Sequence, residues 1–170
     1  MKKKNLVVIL LLLMIMCTMN ACNFGGKSAG KDGDSLPDDA IEYNGVTVSI
    51  NDENMDNVFA AFGEPESTEG DRPGYYYTFD SGLVGVSSYI INELSEEDMQ
   101  EYPDLISIRD EKIKTSKGIG VGSTEEEVKA AYGKNEAISV DSMNILTYSF
   151  KDYTLVFVID GTVTEIQYMR

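Results

Sequence analysis

A short stretch of this chain occurs twice. Val58-Phe59-Ala60-Ala61-Phe62-Gly63 aligns with Val128-Lys129-Ala130-Ala131-Tyr132-Gly133 at an offset of 70, and further on Tyr77-Thr78-Phe79-Asp80 aligns with Tyr148-Ser149-Phe150-Lys151 at an offset of 71. Later still, Leu105-Ile106-Ser107-Ile108 resembles Val163-Thr164-Glu165-Ile166. The same pieces recur in the same order, so whatever unit the first half folds into, the second half is expected to fold into as well.

Each copy opens on a helix with readable ends. Thr124 is spaced to cap the second helix while Glu127 reaches back, and Glu125 and Glu126 oppose the positive end of its dipole. Gly133 then closes it as a left-handed cap. In the first copy Asp52 or Asn54 can cap, Met55, Val58, Phe59 and Phe62 fall at i, i+3, i+4 and i+7, and Gly63-Glu64-Pro65 ends the run. Helices of two or three turns are marginal alone and need a sheet to pack on.

That sheet follows in each half. Leu146, Tyr148 and Phe150 alternate with Thr147, Ser149 and Lys151, and Tyr75, Tyr77 and Phe79 repeat the pattern, which is the period of a half-buried antiparallel strand. Tyr77, Phe79, Tyr148 and Phe150 are expected under the helices. Tyr153 to Ile159 is apolar on both faces and reads as a central strand, and Asp160-Gly161 signals a hairpin into Thr162 to Tyr168. Leu83 to Ile91 and Leu105 to Arg109 take the equivalent places in the first half. Asn92 to Asp104 reads as a surface insertion, with a helix start at Ser95-Glu96-Glu97-Asp98 and a stop at Pro103. The expected fold class is α+β: two tandem repeats, 41–114 and 115–170, each a short helix or helical hairpin packed on a three-stranded antiparallel sheet.

The phrase Gly118-Ile119-Gly120-Val121-Gly122-Ser123-Thr124 through Val128 to Gly133 resembles the start of a repeat in the SmpA/OmlA (BamE) lipoproteins and the β-lactamase-inhibitor-like proteins. The resemblance implies a helical hairpin on a small antiparallel sheet and a role in holding other proteins.

The N-terminus supplies an address. Lys2, Lys3 and Lys4 precede an apolar run of 14 residues from Leu6 to Met19, shorter than the roughly 20 that span a bilayer, and small Ala21 stands before Cys22. Met19-Asn20-Ala21-Cys22 resembles the lipobox of bacterial lipoprotein precursors. That resemblance implies a signal peptide over 1–21, diacylglycerol on the Cys22 sulfur, and a protein held on the cell membrane facing outside the cytoplasm. Cys17, the competing candidate, follows bulky Met16, and an ordinary secretory signal cut nearby is the plainer alternative. Residues 22–40, rich in Gly, Ser and Asp, read as a flexible tether. Two or more acyl chains give stable anchoring without a protein span.

Composition then closes off several chemistries. With 14 Lys and Arg against 29 Asp and Glu, the chain carries a net charge of −15, which argues against nucleic acid as a partner. Histidine is absent and the two cysteines lie at positions 17 and 22, so no imidazole or thiol remains for triad catalysis or a zinc site. Gly118-x-Gly120-x-Gly122-Ser123-Thr124 lacks the Lys of a phosphate loop, and three glutamates in the following turn repel phosphate, so no nucleotide is expected. The acidic groups Asp32/Asp34/Asp38/Asp39, Asp52/Glu53/Asp56 and Glu96/Glu97/Asp98 lack calcium-loop spacing, and no metal or other cofactor is expected.

Aromatics remain. The chain has ten Tyr, six Phe and no Trp, and in Tyr75-Tyr76-Tyr77 the middle ring falls on the opposite face from its neighbours. Tyr76, joined by Tyr89 and Tyr168, is the candidate partner contact on an exposed sheet, with ordinary core-edge packing as the plain alternative. The sequence therefore points to an exported, lipid-anchored, non-catalytic module that binds an envelope protein. A carboxylate-dependent envelope hydrolase or a small-ligand-binding lipoprotein is the alternative.

Overall fold

The computed structural model describes residues 36–91, 100–140 and 142–170. Cys22, the leader, the tether up to residue 35 and the Ser95–Asp98 segment lie outside the described residues.

The described chain opens with a hairpin of β1 (Ala40–Tyr43) and β2 (Val46–Ser49), turned by Asn44 and Gly45 at φ of 51° and 77°, the positive values that a two-residue hairpin turn requires. Helix α1 (Asp56–Phe62) follows, then β3 (Ser67–Asp71), β4 (Gly74–Phe79), β5 (Val84–Ile91) and β6 (Gln100–Ile108). Helix α2 (Glu125–Tyr132) precedes β7 (Ile138–Val140), β8 (Met143–Ser149), β9 (Thr154–Asp160) and β10 (Thr162–Met169). Strands β3 to β10 form one antiparallel sheet of eight, in the order β3-β4-β5-β6-β10-β9-β8-β7. The class is α+β, as expected.

The arrangement within it differs. Each half supplies a helix and four strands, and the last strands of the halves, β6 and β10, pair in the middle, so two separate three-stranded sheets are replaced by one continuous sheet. Strands β3 and β7 escape a pattern-based reading because all of their residues are exposed, and without a buried face there is no apolar alternation to see. The expected insertion is also shorter. Gln100–Asp104 opens β6, and Pro103 sits opposite Ser88 at a bulge instead of ending a helix. There β6 is bordered by β5 alone, since its pairing with β10 covers only Leu105–Ile108, and a strand with one neighbour tolerates a residue lacking an N–H.

Both helices and the hairpin cover one face of the sheet. Ile41 and Val48 of the hairpin, Val58 and Ala61 of α1 and Val128 of α2 are buried with Phe79, Val86, Ile106, Leu146, Phe157 and Ile166 of the strands in a single core. The second helix carries the expected capping box: the Thr124 side chain accepts from the Glu127 N–H at 3.2 Å and Glu127 accepts from the Thr124 N–H at 2.7 Å. In the first, Asn54 Oδ1 accepts the Asp56 N–H at 3.0 Å, while Asp52 holds the Ser49 amide instead. Gly63 (φ 80°, ψ −155°) and Gly133 (φ 99°, ψ 164°) end the helices in an extended positive-φ conformation open essentially to glycine alone, which for Gly133 is not the left-handed helical one expected. Phe150 also departs from expectation. It lies past the end of β8, 37% exposed, with its ring stacked on Tyr153 at 4.5 Å.

Candidate functional site

The face of the sheet away from the helices carries the candidate site. Alternation along β4 sends Tyr77 and Phe79 into the core, at 9% and 1% exposure, and leaves Tyr76 outside at 36%. Tyr76 is opposite Ser87, and Thr78 is opposite Gly85. A Cβ on Gly85 would meet the Tyr76 hydroxyl at 2.0 Å, so the absence of a side chain there is what lets the ring lie across β5.

Asp104 is an extra, bulged residue of β6 where β5 passes from Ser87 to Ser88, and beyond it Tyr89 stands out of the sheet opposite Tyr102, with ring centroids 5.9 Å apart. The Arg170 guanidinium covers the Tyr102 ring at 4.5 Å. Tyr76 and Tyr89 line one open cleft with Glu69, Ser87 and Asp104, floored by Gly70 and Gly74. Gly74 is tightly packed, since a Cβ there would come within 2.2 Å of the Ser88 carbonyl oxygen.

Tyr168, the third expected contact, is not on this face. It is 1% exposed and stacks toward Tyr153 at 6.3 Å within the core. A bulge between Val163 and Glu165 is responsible: Val163 points inward, the extra residue shifts the alternation, and Ile166 and Tyr168 become the inward pair while Gln167 and Met169 turn outward. Two of the three tyrosines are therefore brought together and one is removed.

Behind the cleft lies a polar cluster with little sequence signal. Tyr77 donates to Glu101 Oε1 at 2.8 Å, the Ser88 hydroxyl donates to the same oxygen, and the Tyr75 N–H donates to Ser88 Oγ at 3.3 Å. Burial first, then the hydrogen bond to Glu101 and its negative charge, push the Tyr77 phenol well above its ordinary pKa. Glu101 holds β4, β5 and β6 together under Tyr76. Its position in the expected insertion concealed this role.

A second cluster crosses the junction of the halves. Glu165 Oε1 accepts from Ser107 Oγ at 2.7 Å and Gln167 Nε2 at 2.6 Å, and Oε2 accepts from Arg109 Nε and Nη2 at 3.0 and 2.8 Å. Burial raises the Glu165 pKa, but the hydrogen bonds from Gln167, Ser107 and Arg109 outweigh it and leave the carboxyl below its usual range. These four donors occupy both oxygens, so Glu165 acts as a clamp between β6 and β10.

The cleft offers ring faces, hydroxyls and two carboxylates on a shallow surface, which suits recognition by stacking and hydrogen bonding. Among the described residues no group of three or more Asp, Glu, His or Cys gathers where it could hold a metal, and none of the helices is long and apolar enough to cross a membrane.

Comparison with solved structures finds the crystal structure of a DUF4309 family protein (YjgB) from Bacillus subtilis, 25% identical, covering 71% of this chain and 80% of that one with a TM-score of 0.43. No curated protein matches. The resemblance to the BamE and β-lactamase-inhibitor-like repeats finds no support in these comparisons: the Gly118–Gly133 phrase encodes a turn, a cap and a short helix, local features that unrelated folds share. The family model for the domain of unknown function DUF4309 matches residues 42–170, and the chain belongs to that family.

Proposed function

We propose that this protein is an exported, lipid-anchored, non-catalytic binding module that meets an envelope protein through the open face of its sheet. The observation that carries the reading is the pairing of Tyr76 and Tyr89 in one exposed cleft, on a bed made by Gly85 and braced from behind by Glu101. Tyrosine brings large contact area with little conformational entropy to lose, and it recurs at the energetic centres of protein interfaces. The lipobox resemblance at Cys22 supports the address, and a tether between Cys22 and the folded domain would let the domain stand off an anionic membrane that its excess of Asp and Glu over Lys and Arg disfavours.

Site-specific photocrosslinking tests the surface in cells. A crosslinker at position 76 or 89 should capture a discrete envelope protein, and one at exposed Thr164, at the bulge of β10, should not. Equal capture at all three positions would refute the assignment. For the anchor, Cys22→Ala or globomycin should leave an unprocessed form without lipid label, and persistent labelling would refute lipidation. The cleft also contains Glu69 and Asp104, the pair a carboxylate hydrolase would use. Glu69→Gln and Asp104→Asn should change no wall-degrading activity; a loss of activity confined to these two variants would favour the hydrolase.

A further inference from the structure

The cleft between Tyr76 and Tyr89 carries a charge that its own lining does not balance. On β3, Glu69 stands directly opposite Tyr76 and Asp71 opposite Gly74, so both carboxylates share the outer face with the Tyr76 ring at the edge of the sheet. Asp104, the extra residue of β6, brings a carboxylate to the other side of the cleft. Neither Lys nor Arg lines it, and no ion pair holds Glu69 or Asp104 among the described residues. Behind the sheet, Glu101 takes hydrogen bonds from the neutral hydroxyls of Tyr77 and Ser88, which adds a further negative charge to the same field.

Shape narrows the choice of partner. Gly74 contributes no side chain, and the Cβ it lacks would lie 3.7 Å from the Tyr89 Cα, so the space beside that ring stays open. What remains is a slot bordered by two exposed tyrosines, with carboxylates arriving from β3 and β6. An anion is repelled there. An ammonium answers the charge alone, whereas a guanidinium is planar, stacks on aromatic faces and presents paired donors to a carboxylate. This face already holds one such contact next door. Arg170, whose N–H donates to the Asp104 carbonyl at 3.0 Å, sets its guanidinium over the Tyr102 ring at 4.5 Å, and Tyr102 is the ring neighbour of Tyr89.

Resting on the reading of this face as a protein-binding surface, we propose that the partner inserts an arginine side chain between Tyr76 and Tyr89. Its guanidinium stacks on the rings and donates to Glu69, and Asp104 adds attraction across the cleft. The surface therefore selects a basic segment of the partner rather than an apolar one.

Nuclear magnetic resonance of the full chain with isotope-labelled tyrosine rings tests this, with N-acetyl-arginine methylamide as the probe at fixed ionic strength. Saturable shifts of the Tyr76 and Tyr89 rings are expected, and the citrulline analogue, which keeps the shape and loses the charge, should give none. Glu69→Gln should weaken binding about two- to fivefold, the worth of one exposed ion pair. Asp104→Asn should weaken it less, and Asp160→Asn, at an exposed acid where β9 ends, should leave it unchanged. Absence of saturable shifts overturns the proposal, as does equal affinity for the citrulline or the lysine analogue. So does an affinity unaltered in the Glu69→Gln, Asp104→Asn double variant while circular dichroism shows it folded. Crosslinking keeps the two readings apart: capture from positions 76 and 89 undiminished by the double variant removes the arginine and leaves the protein-binding surface standing. Arginine binding without any capture removes the envelope partner and leaves the cleft selective for a guanidinium.

Discussion

Tyr76 projects from the sheet because the residue beside it has no side chain. Adding a methyl at Gly85 meets only the far end of Tyr76, at 2.0 Å, so the ring can swing away. Gly85→Ala should therefore change unfolding free energy by less than about 1 kcal/mol while displacing Tyr76 and reducing crosslinking from position 76. Gly74→Ala has no such escape, since the obstacle at 2.2 Å is the Ser88 carbonyl of the neighbouring strand. Urea denaturation should show it destabilised by about 1–3 kcal/mol, the usual cost of overpacking. The buried phenols give a separate signature. Burial is the leading cause that holds Tyr77, Tyr153 and Tyr168 above their ordinary pKa, so the folded state keeps its protons longer than the unfolded chain. That stability is fully present below about pH 10, the unfolded value, and declines as pH rises beyond it. Ultraviolet titration should show the exposed tyrosines ionising first and these three ionising together with alkaline unfolding; three early, reversible ionisations would contradict the structure.

Among the elements, α2 was legible almost to the atom and α1 less so. The Thr124 and Glu127 capping box could be read from spacing because both partners lie within one turn. Thr124→Ala should cost about 1 kcal/mol, measurable as a lowered denaturation midpoint with an unchanged slope. Asn54→Ala should cost less, since α1 lacks the reciprocal half of the box. The Glu165 clamp joins elements that sequence separates by more than fifty residues, and it predicts an acid limb. A carboxyl held below its unfolded pKa stabilises the fold above that unfolded value, about 4.3, and loses the contribution as pH falls through the folded value. The wild type should lose thermal stability steeply in that window. Glu165→Gln should be less stable at neutral pH and flatter below it, and parallel profiles would show that the clamp contributes nothing. The β3 and β7 edges and the opening turn of β6 were not legible, because exposed strands carry no apolar alternation and Pro103 imitates a stop.

At the scale of the whole molecule the sheet runs from one half into the other through β6 and β10, and Arg109 and Glu165 close the seam. Fragments 36–114 and 115–170 expressed alone would each expose a strand that is central in the intact protein. Neither should give a cooperative unfolding transition, whereas the two mixed should recover part of the far-ultraviolet strand signal; two independently folded halves would refute this. Sequence by itself determined the helices, the Thr124–Glu127 capping box, the inward faces of β4, β8 and β9, and the separation of Tyr76 from Tyr75 and Tyr77, because each of these depends on residues within one turn or one pleat of each other. Only the tertiary structure decided that the halves share a sheet, that Tyr89 joins Tyr76, and that Tyr168 turns inward toward Tyr153. Strand partners are chosen between segments distant in the chain, and a single bulged residue, invisible to local periodicity, reverses the face of every residue after it.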